Sequence, residues 1–212
     1  MNAGLLEALL AAARPLLVGA FTLWGSAVTW LEVAAFVLSL AMVAANMRVN
    51  AVGWPLAIAA SLLYSLLFAQ SRLYGEASLQ LFFVAVSFWG WWQWLRGRGE
   101  DGGALRVHRL TRRGLVLTIG ATIAAWPLAG LLLARATDSD VPYLDALATV
   151  ASVSGQILLG RKLIENWLVW FAVNLFSVGL FAFKGLWLTL LLYALFAALS
   201  IVGWRAWRAQ LA

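Results

Sequence analysis

Seven apolar stretches follow one another along this chain, at 30–47, 51–69, 76–95, 113–133, 143–160, 165–182 and 186–205. Each comes close to the ~20 residues a helix needs to cross a hydrocarbon core. No other feature constrains the fold as much. The chain is 64% hydrophobic and 11% charged, with a mean hydropathy of +0.88, against about 45–50% and about 25% in ordinary soluble domains. A water-soluble fold of 212 residues cannot cover that much apolar side chain. The class is therefore all-α integral membrane, since spanning strands are about 9–11 residues long with strict alternation and no such alternation appears. With no cysteine, the chain has no disulfide framework, thiol nucleophile or thiolate metal site. The single histidine, His108, stands among arginines and reads as a solvated loop residue, so no multi-histidine metal centre is expected. A pI of about 10.5 would suggest nucleic acid for a soluble protein. Here the basic residues fall between apolar runs, where they set membrane orientation, and no nucleic-acid partner is expected.

The connections are short except for 96–112, a basic segment with Gly97, Gly99, Gly102 and Gly103 that reads as a flexible cytoplasmic loop. In residues 1–29, Glu7, Arg14 and Pro15 interrupt the apolar run and leave Leu16 to Val28 short of a full crossing. This N-terminal helical segment is read as either an interfacial helix or an extra, imperfect span. A cleaved signal peptide would need a basic n-region that is missing. With 96–112 placed in the cytoplasm, eleven lysines and arginines lie on that side and four (Arg14, Arg72, Arg135, Lys184) on the other. That bias predicts a multi-pass membrane protein with its C-terminus cytoplasmic.

The chain also repeats itself. Set against itself at an offset of 113, residues 30–94 match 143–207 without gaps at 19 of 65 positions, including Ser39, Arg48, Trp54, Ser87, Gly90, Trp91 and Trp94. Matched tryptophans and glycines are not explained by shared hydrophobicity. Each repeat holds three spans, 30–95 and 143–207, and the span 113–133 joins them. An even number of crossings separates the repeats, so a 3+1+3 arrangement of two parallel three-helix bundles is expected, as in the halves of several transporters.

Polar residues at bilayer depth usually face a bundle interior or a cavity. At helical spacing, span three carries Glu76, Gln80, Phe83 and Ser87 on one face, and span seven carries Thr189, Tyr193, Phe196 and Ser200 at the repeat-related positions. Span six carries Trp167, Trp170, Asn174 and Ser177; span five carries Asp145, Thr149, Ser152 and Gln156; span two carries Trp54, Ser61 and Tyr64. A lining of indoles, amides and hydroxyls suits a flat heteroaromatic ring with a sugar-like substituent. Against this stand plainer roles. Tryptophans at span ends commonly anchor at the interface, which is the expectation for Trp91, Trp92, Trp94, Trp204 and Trp207, and Ser, Thr and Asn commonly bond helix to helix. No carboxylate falls at mid-span and no P-loop is present. The movement expected is therefore passive, with no cofactor or metal, and no acid/base pair that would mark an enzyme.

The runs LYGEASLQLFFVAVSFWGWWQWLRG (73–97) and ENWLVWFAVNLFSVGLFAFKGLWLTLLLYALFAALSIVGWRAW (165–207) resemble the bacterial PnuC family of nicotinamide riboside transporters. The resemblance covers about 30–207. It implies a SWEET-like 3+1+3 fold and uptake of nicotinamide riboside by facilitated diffusion, drawn by a cytoplasmic kinase that phosphorylates the product. By motif it points to Gln80, Trp167, Trp170 and Asn174 as substrate contacts, with Tyr193 a weaker one. Phe83, Tyr64, Ser87 and Thr189 complete the expected binding set. Aromatic positions that are often tyrosine in this family are Phe82, Phe83, Phe181 and Phe183 here, and relatives carry thiamine or other vitamins, so a thiamine carrier is the nearest alternative. A non-transporting membrane assembly protein is a further one. The expected partners are the small-molecule substrate and membrane lipid, and a homo-oligomer is left open.

Overall fold

The computed structural model describes residues 14–23, 25–70, 74–99, 102–137, 141–183 and 187–211. Among them, seven α-helices occupy the seven apolar stretches: α1 (Trp30–Met47), α2 (Gly53–Gln70), α3 (Tyr74–Arg96), α4 (Arg112–Ala136), α5 (Pro142–Gly160), α6 (Asn166–Phe183) and α7 (Trp187–Arg208). By length and composition α1, α2, α4, α5 and residues 190–208 of α7 can each cross a membrane; the apolar part of α6 searched, Asn166–Gly179, is shorter. Local chemistry sets the starts. Thr29 and Glu32 form a capping box on α1, the Glu32 N–H donating to Thr29 Oγ1 (3.2 Å) and the Thr29 N–H to Glu32 Oε2 (3.0 Å). Thr111 Oγ1 accepts from the Gly114 N–H (3.1 Å) at the head of α4, and Pro142 opens α5. The outward side chains are those of a helix in lipid: Val116, Leu117, Ile123, Leu128 and Leu132 of α4 are all exposed.

Two expectations are corrected. The described residues of 18–29 are not helical. After a short 3-10 turn (Arg14–Leu17) they form an antiparallel hairpin of β1 (Gly19–Leu23) and β2 (Ser26–Thr29). Pro15 and the glycines break helical periodicity, β-branched Thr22, Val28 and Thr29 favour extension, and Gly25 takes the positive φ (83°) of the tight turn. Residues 1–13, the rest of the predicted N-terminal segment, lie outside the described residues. The described residues of the 96–112 segment, expected to be flexible, form a strap fixed by backbone bonds. Arg98 pairs with Ala104 and His108 with Leu163; the His108 N–H donates to Lys162 O (3.2 Å) and the Ile164 N–H to His108 O (3.0 Å).

The internal repeat is written into the backbone. The non-glycine residues with positive φ, among those described, are Val49 (54°) and Lys162 (55°), 113 positions apart. The flanking bonds recur at the same offset: Asn50 N–H to Ala45 O (3.0 Å) and Leu163 N–H to Leu158 O (2.9 Å), then Gly53 N–H to Asn50 O (3.0 Å) and Asn166 N–H to Leu163 O (3.1 Å). Both turns use a six-to-one closure with a left-handed residue, as helix C-termini commonly do. Burial repeats too, in Ser39 and Ser152, Trp54 and Trp167, Ser87 and Ser200, and Trp94 and Trp207.

The chain divides into two compact units. One holds the described residues of 1–46 and 50–88, the other 47–49 and those of 89–212. The division falls inside α3, not in the strap. In the first unit, Ser65 Oγ of α2 donates to Ala77 O of α3 (3.0 Å). In the second, α4 packs on α5, α5 on α6 and α6 on α7, with Thr122 and Ser154 hydroxyls bonded between α4 and α5 (2.7 Å).

Candidate substrate site

In the second unit, α6 turns one face inward. Trp167, Asn174 and Ser177 are buried and Trp170 half-buried, whereas Leu168 and Leu175 on the opposite side are exposed. The indoles reach their neighbours because glycines face them. A Cβ on Gly203 of α7 would stand 2.5 Å from the Trp167 ring, and one on Gly155 of α5 would stand 3.2 Å from Trp170. Asn174 Nδ2 donates to Ser200 Oγ of α7 (3.4 Å), and that hydroxyl donates onward to Phe196 O (2.8 Å). Tyr193 meets Phe196 edge-on along α7 (ring centroids 6.2 Å, 73°). Thr189 lies on the same helix, its side chain outside the described residues, as is that of Glu76 on α3.

The other predicted residues belong to the first unit. Tyr64 of α2 stacks on Phe68 (6.1 Å, 23°). Gln80 and Phe83 of α3 are half-buried, Phe83 edge-on to Phe82 (6.2 Å, 61°), and Ser87 is buried. The structure thus joins Trp167, Trp170 and Asn174 to the helices flanking α6, while Gln80, Phe83, Tyr64 and Ser87 share the other unit.

Hydrogen bonding separates the polar groups into two kinds. Ser39, Thr149, Ser154 and Ser200 hydroxyls return to a carbonyl four residues back, at 2.8, 2.9, 3.1 and 2.8 Å, a local bond that satisfies them without any ligand. Others are left open among the described residues. Trp167 Nε1 is buried without a partner, Asn174 Oδ1 accepts no bond, and neither amide group of Gln80 is engaged. For the buried Trp167 Nε1 an unmade bond costs about 1–3 kcal/mol, so water or a solute with a matching acceptor is favoured there. Asn166 Oδ1, beside Trp167, is also buried without a partner. Among the described residues no three His, Asp or Glu side chains gather as a metal site requires.

Two features escaped the sequence reading. Trp94 and Trp207, expected as interfacial anchors, are buried and form a cluster with Trp167: Trp167 and Trp207 cross edge-on (5.7 Å, 88°), Trp94 and Trp207 lie 6.1 Å apart, and Trp94 Nε1 donates to Leu159 O (3.0 Å). Their match across the repeat was the available signal, since exposed Trp92 faces Arg205 at that offset. Lys162 closes the cluster, its Nζ 5.0 Å from the Trp94 ring centroid and bonded to Leu105 O of the strap (3.0 Å). Burial of this side chain pulls its pKa below the ordinary 10.5. Glu165 secures the strap from the other side, Oε2 accepting from the Leu110 N–H (3.0 Å).

Apolar helices with exposed apolar flanks, and with indoles and an amide turned inward on α6, define a multi-pass membrane protein. The family follows from the sequence itself: residues 29–209 match the nicotinamide mononucleotide transporter family, and the chain belongs to it. It is 27% identical over 169 residues to the nicotinamide riboside transporter PnuC of Escherichia coli, covering 68% of this chain and 71% of that protein. It is 28% identical over 196 residues to the riboflavin/roseoflavin transporter RibM of Streptomyces davaonensis, covering 89% of each. The crystal structure of the vitamin B3 transporter PnuC superposes with a TM-score of 0.71 at 22% identity, covering 98% of this chain and 87% of that one.

Proposed function

We propose that the protein carries nicotinamide riboside across the bacterial inner membrane by facilitated diffusion, as a 3+1+3 bundle of parallel repeats with a cytoplasmic C-terminus. The observation that carries this reading is the pair of open polar atoms on Trp167 and Asn174 of α6, in a chain whose family is one of transporters. Half-buried Trp170 stacks on the nicotinamide ring, a cationic π-system whose stacking on indole contributes about 0.5–2 kcal/mol, and Trp167 offers its Nε1–H rather than a ring face. Asn174, both donor and acceptor, reads the ribose hydroxyls and carboxamide, with Tyr193 and Thr189 on the neighbouring helix; in the first unit, Gln80, Phe83, Tyr64 and Ser87 are the proposed solute contacts. With no carboxylate at mid-span, net uptake is drawn by a cytoplasmic kinase that phosphorylates the arriving solute, and the transporter performs no covalent step. A second reading, riboflavin, is favoured by the relative RibM, whose match extends over more of the chain. Both solutes join a planar ring to a five-carbon polyol or sugar.

A melting panel on the purified protein decides between them. Ligand at about 100 times Kd stabilises by roughly 2.7 kcal/mol. Nicotinamide riboside should raise the melting temperature, with riboflavin and thiamine inert. A shift with riboflavin alone, or with thiamine alone, reassigns the solute. No shift with any of the three removes the vitamin-carrier reading.

A further inference from the structure

The strap, the first turn of α4 and the 161–164 turn bonded to the strap carry six exposed arginines, and the geometry points to a binding surface for the phosphates of anionic lipids in the adjoining leaflet. Arg98, Arg106, Arg109, Arg112, Arg113 and Arg161 are all exposed, and among the described residues none has a carboxylate partner. They are held in place, not tethered on a loose loop. Val107 is buried between Arg106 and His108, the His108 backbone is bonded on both sides to the 162–164 turn, and Leu110 is bonded to Glu165. Arg106, Arg109 and Arg161 therefore keep fixed spacings, which lowers the conformational cost of gripping a planar phosphate with a guanidinium.

Two further observations select a lipid as the occupant. Arg112 and Arg113 stand in the first turn of α4, a helix with no acidic residue there. Cations at that end oppose the helix dipole, so helix stability does not account for them. The rest of α4 is largely exposed apolar surface, which puts its first turn at headgroup depth. One turn before the strap, Trp92 and Leu95 are exposed on α3, the pattern of a side chain layer meeting the bilayer interface. This inference rests on the membrane fold and is independent of the solute carried.

The test uses the full chain in mixed micelles of phosphatidylcholine with roughly one quarter phosphatidylglycerol, reading bound lipid by native mass spectrometry. Wild type should retain phosphatidylglycerol over phosphatidylcholine by at least ~5-fold, weakening as salt is raised. The variant R106Q/R109Q/R112Q/R113Q should lose that preference, while R135Q, about 35 Å away at the far end of α4, should keep it. Melting temperatures in lipid-free detergent check that both fold; if the quadruple variant does not, R106Q/R109Q is read the same way. Equal retention of the two lipids by wild type, unchanged preference in the strap variant, or an equal loss in R135Q overturns the proposal. Displacement of the lipid by millimolar inorganic phosphate also overturns it, in favour of a free-phosphate site.

Discussion

Trp170 and Asn174 stand one turn apart on the inward face of α6, yet they differ in what the fold has already claimed of them. Trp170 packs over Gly155 and Asn174 donates an amide N–H to Ser200, its carbonyl oxygen accepting no bond among the described residues. Replacing Trp170 with alanine removes a stacking wall and should weaken solute binding about tenfold with little change in expression. Asn174→Leu should weaken it about 5–30-fold, the worth of one or two hydrogen bonds; titration calorimetry on purified variants reads both. Binding unchanged in both would assign this face to packing alone. That these residues drew attention in the sequence has a physical basis, because an amide in an apolar run is costly wherever it sits. The sequence could not tell a satisfied hydroxyl such as Ser39, bonded to Ala35 O, from an open amide, because that depends on backbone geometry.

At the scale of elements, helices in lipid announce themselves by length and composition, and all seven lay where the apolar runs did. Shorter elements were less legible. The β1–β2 hairpin is built from an apolar stretch that reads equally as a short helix, and only the glycine at position 25 hints at its turn. The strap was misread for a different reason: its rigidity comes from Lys162 and Glu165, more than fifty residues away in sequence, while its own glycines suggest mobility. Glu165 is thus a structural anchor. Glu165→Ala should raise hydrogen exchange at Leu110 and its neighbours about tenfold or more, as expected for losing a bond to a charged acceptor, while α6 stays protected. Uniform exchange across α6 and the strap would show that Glu165 supports the whole unit instead.

For the whole molecule, the energetic question is what drives net flux. With no ionisable carboxylate at mid-span, liposome uptake should follow the solute gradient and ignore imposed proton or sodium gradients beyond the effect of the solute's own charge. Accumulation above the external concentration in the absence of a kinase would contradict this. The duplication that organises the molecule was visible as matched residues, and the structure adds that the turns themselves are copies, with Val49 and Lys162 in the same left-handed conformation. The two corners share one backbone conformation and differ in side chains: position 49 holds an aliphatic residue, whereas its counterpart holds an ammonium and, three residues on, a carboxylate, both bonded to the basic strap. Asymmetry between the halves of this carrier was introduced at a hairpin bend by two side chains, without redrawing the path of the backbone.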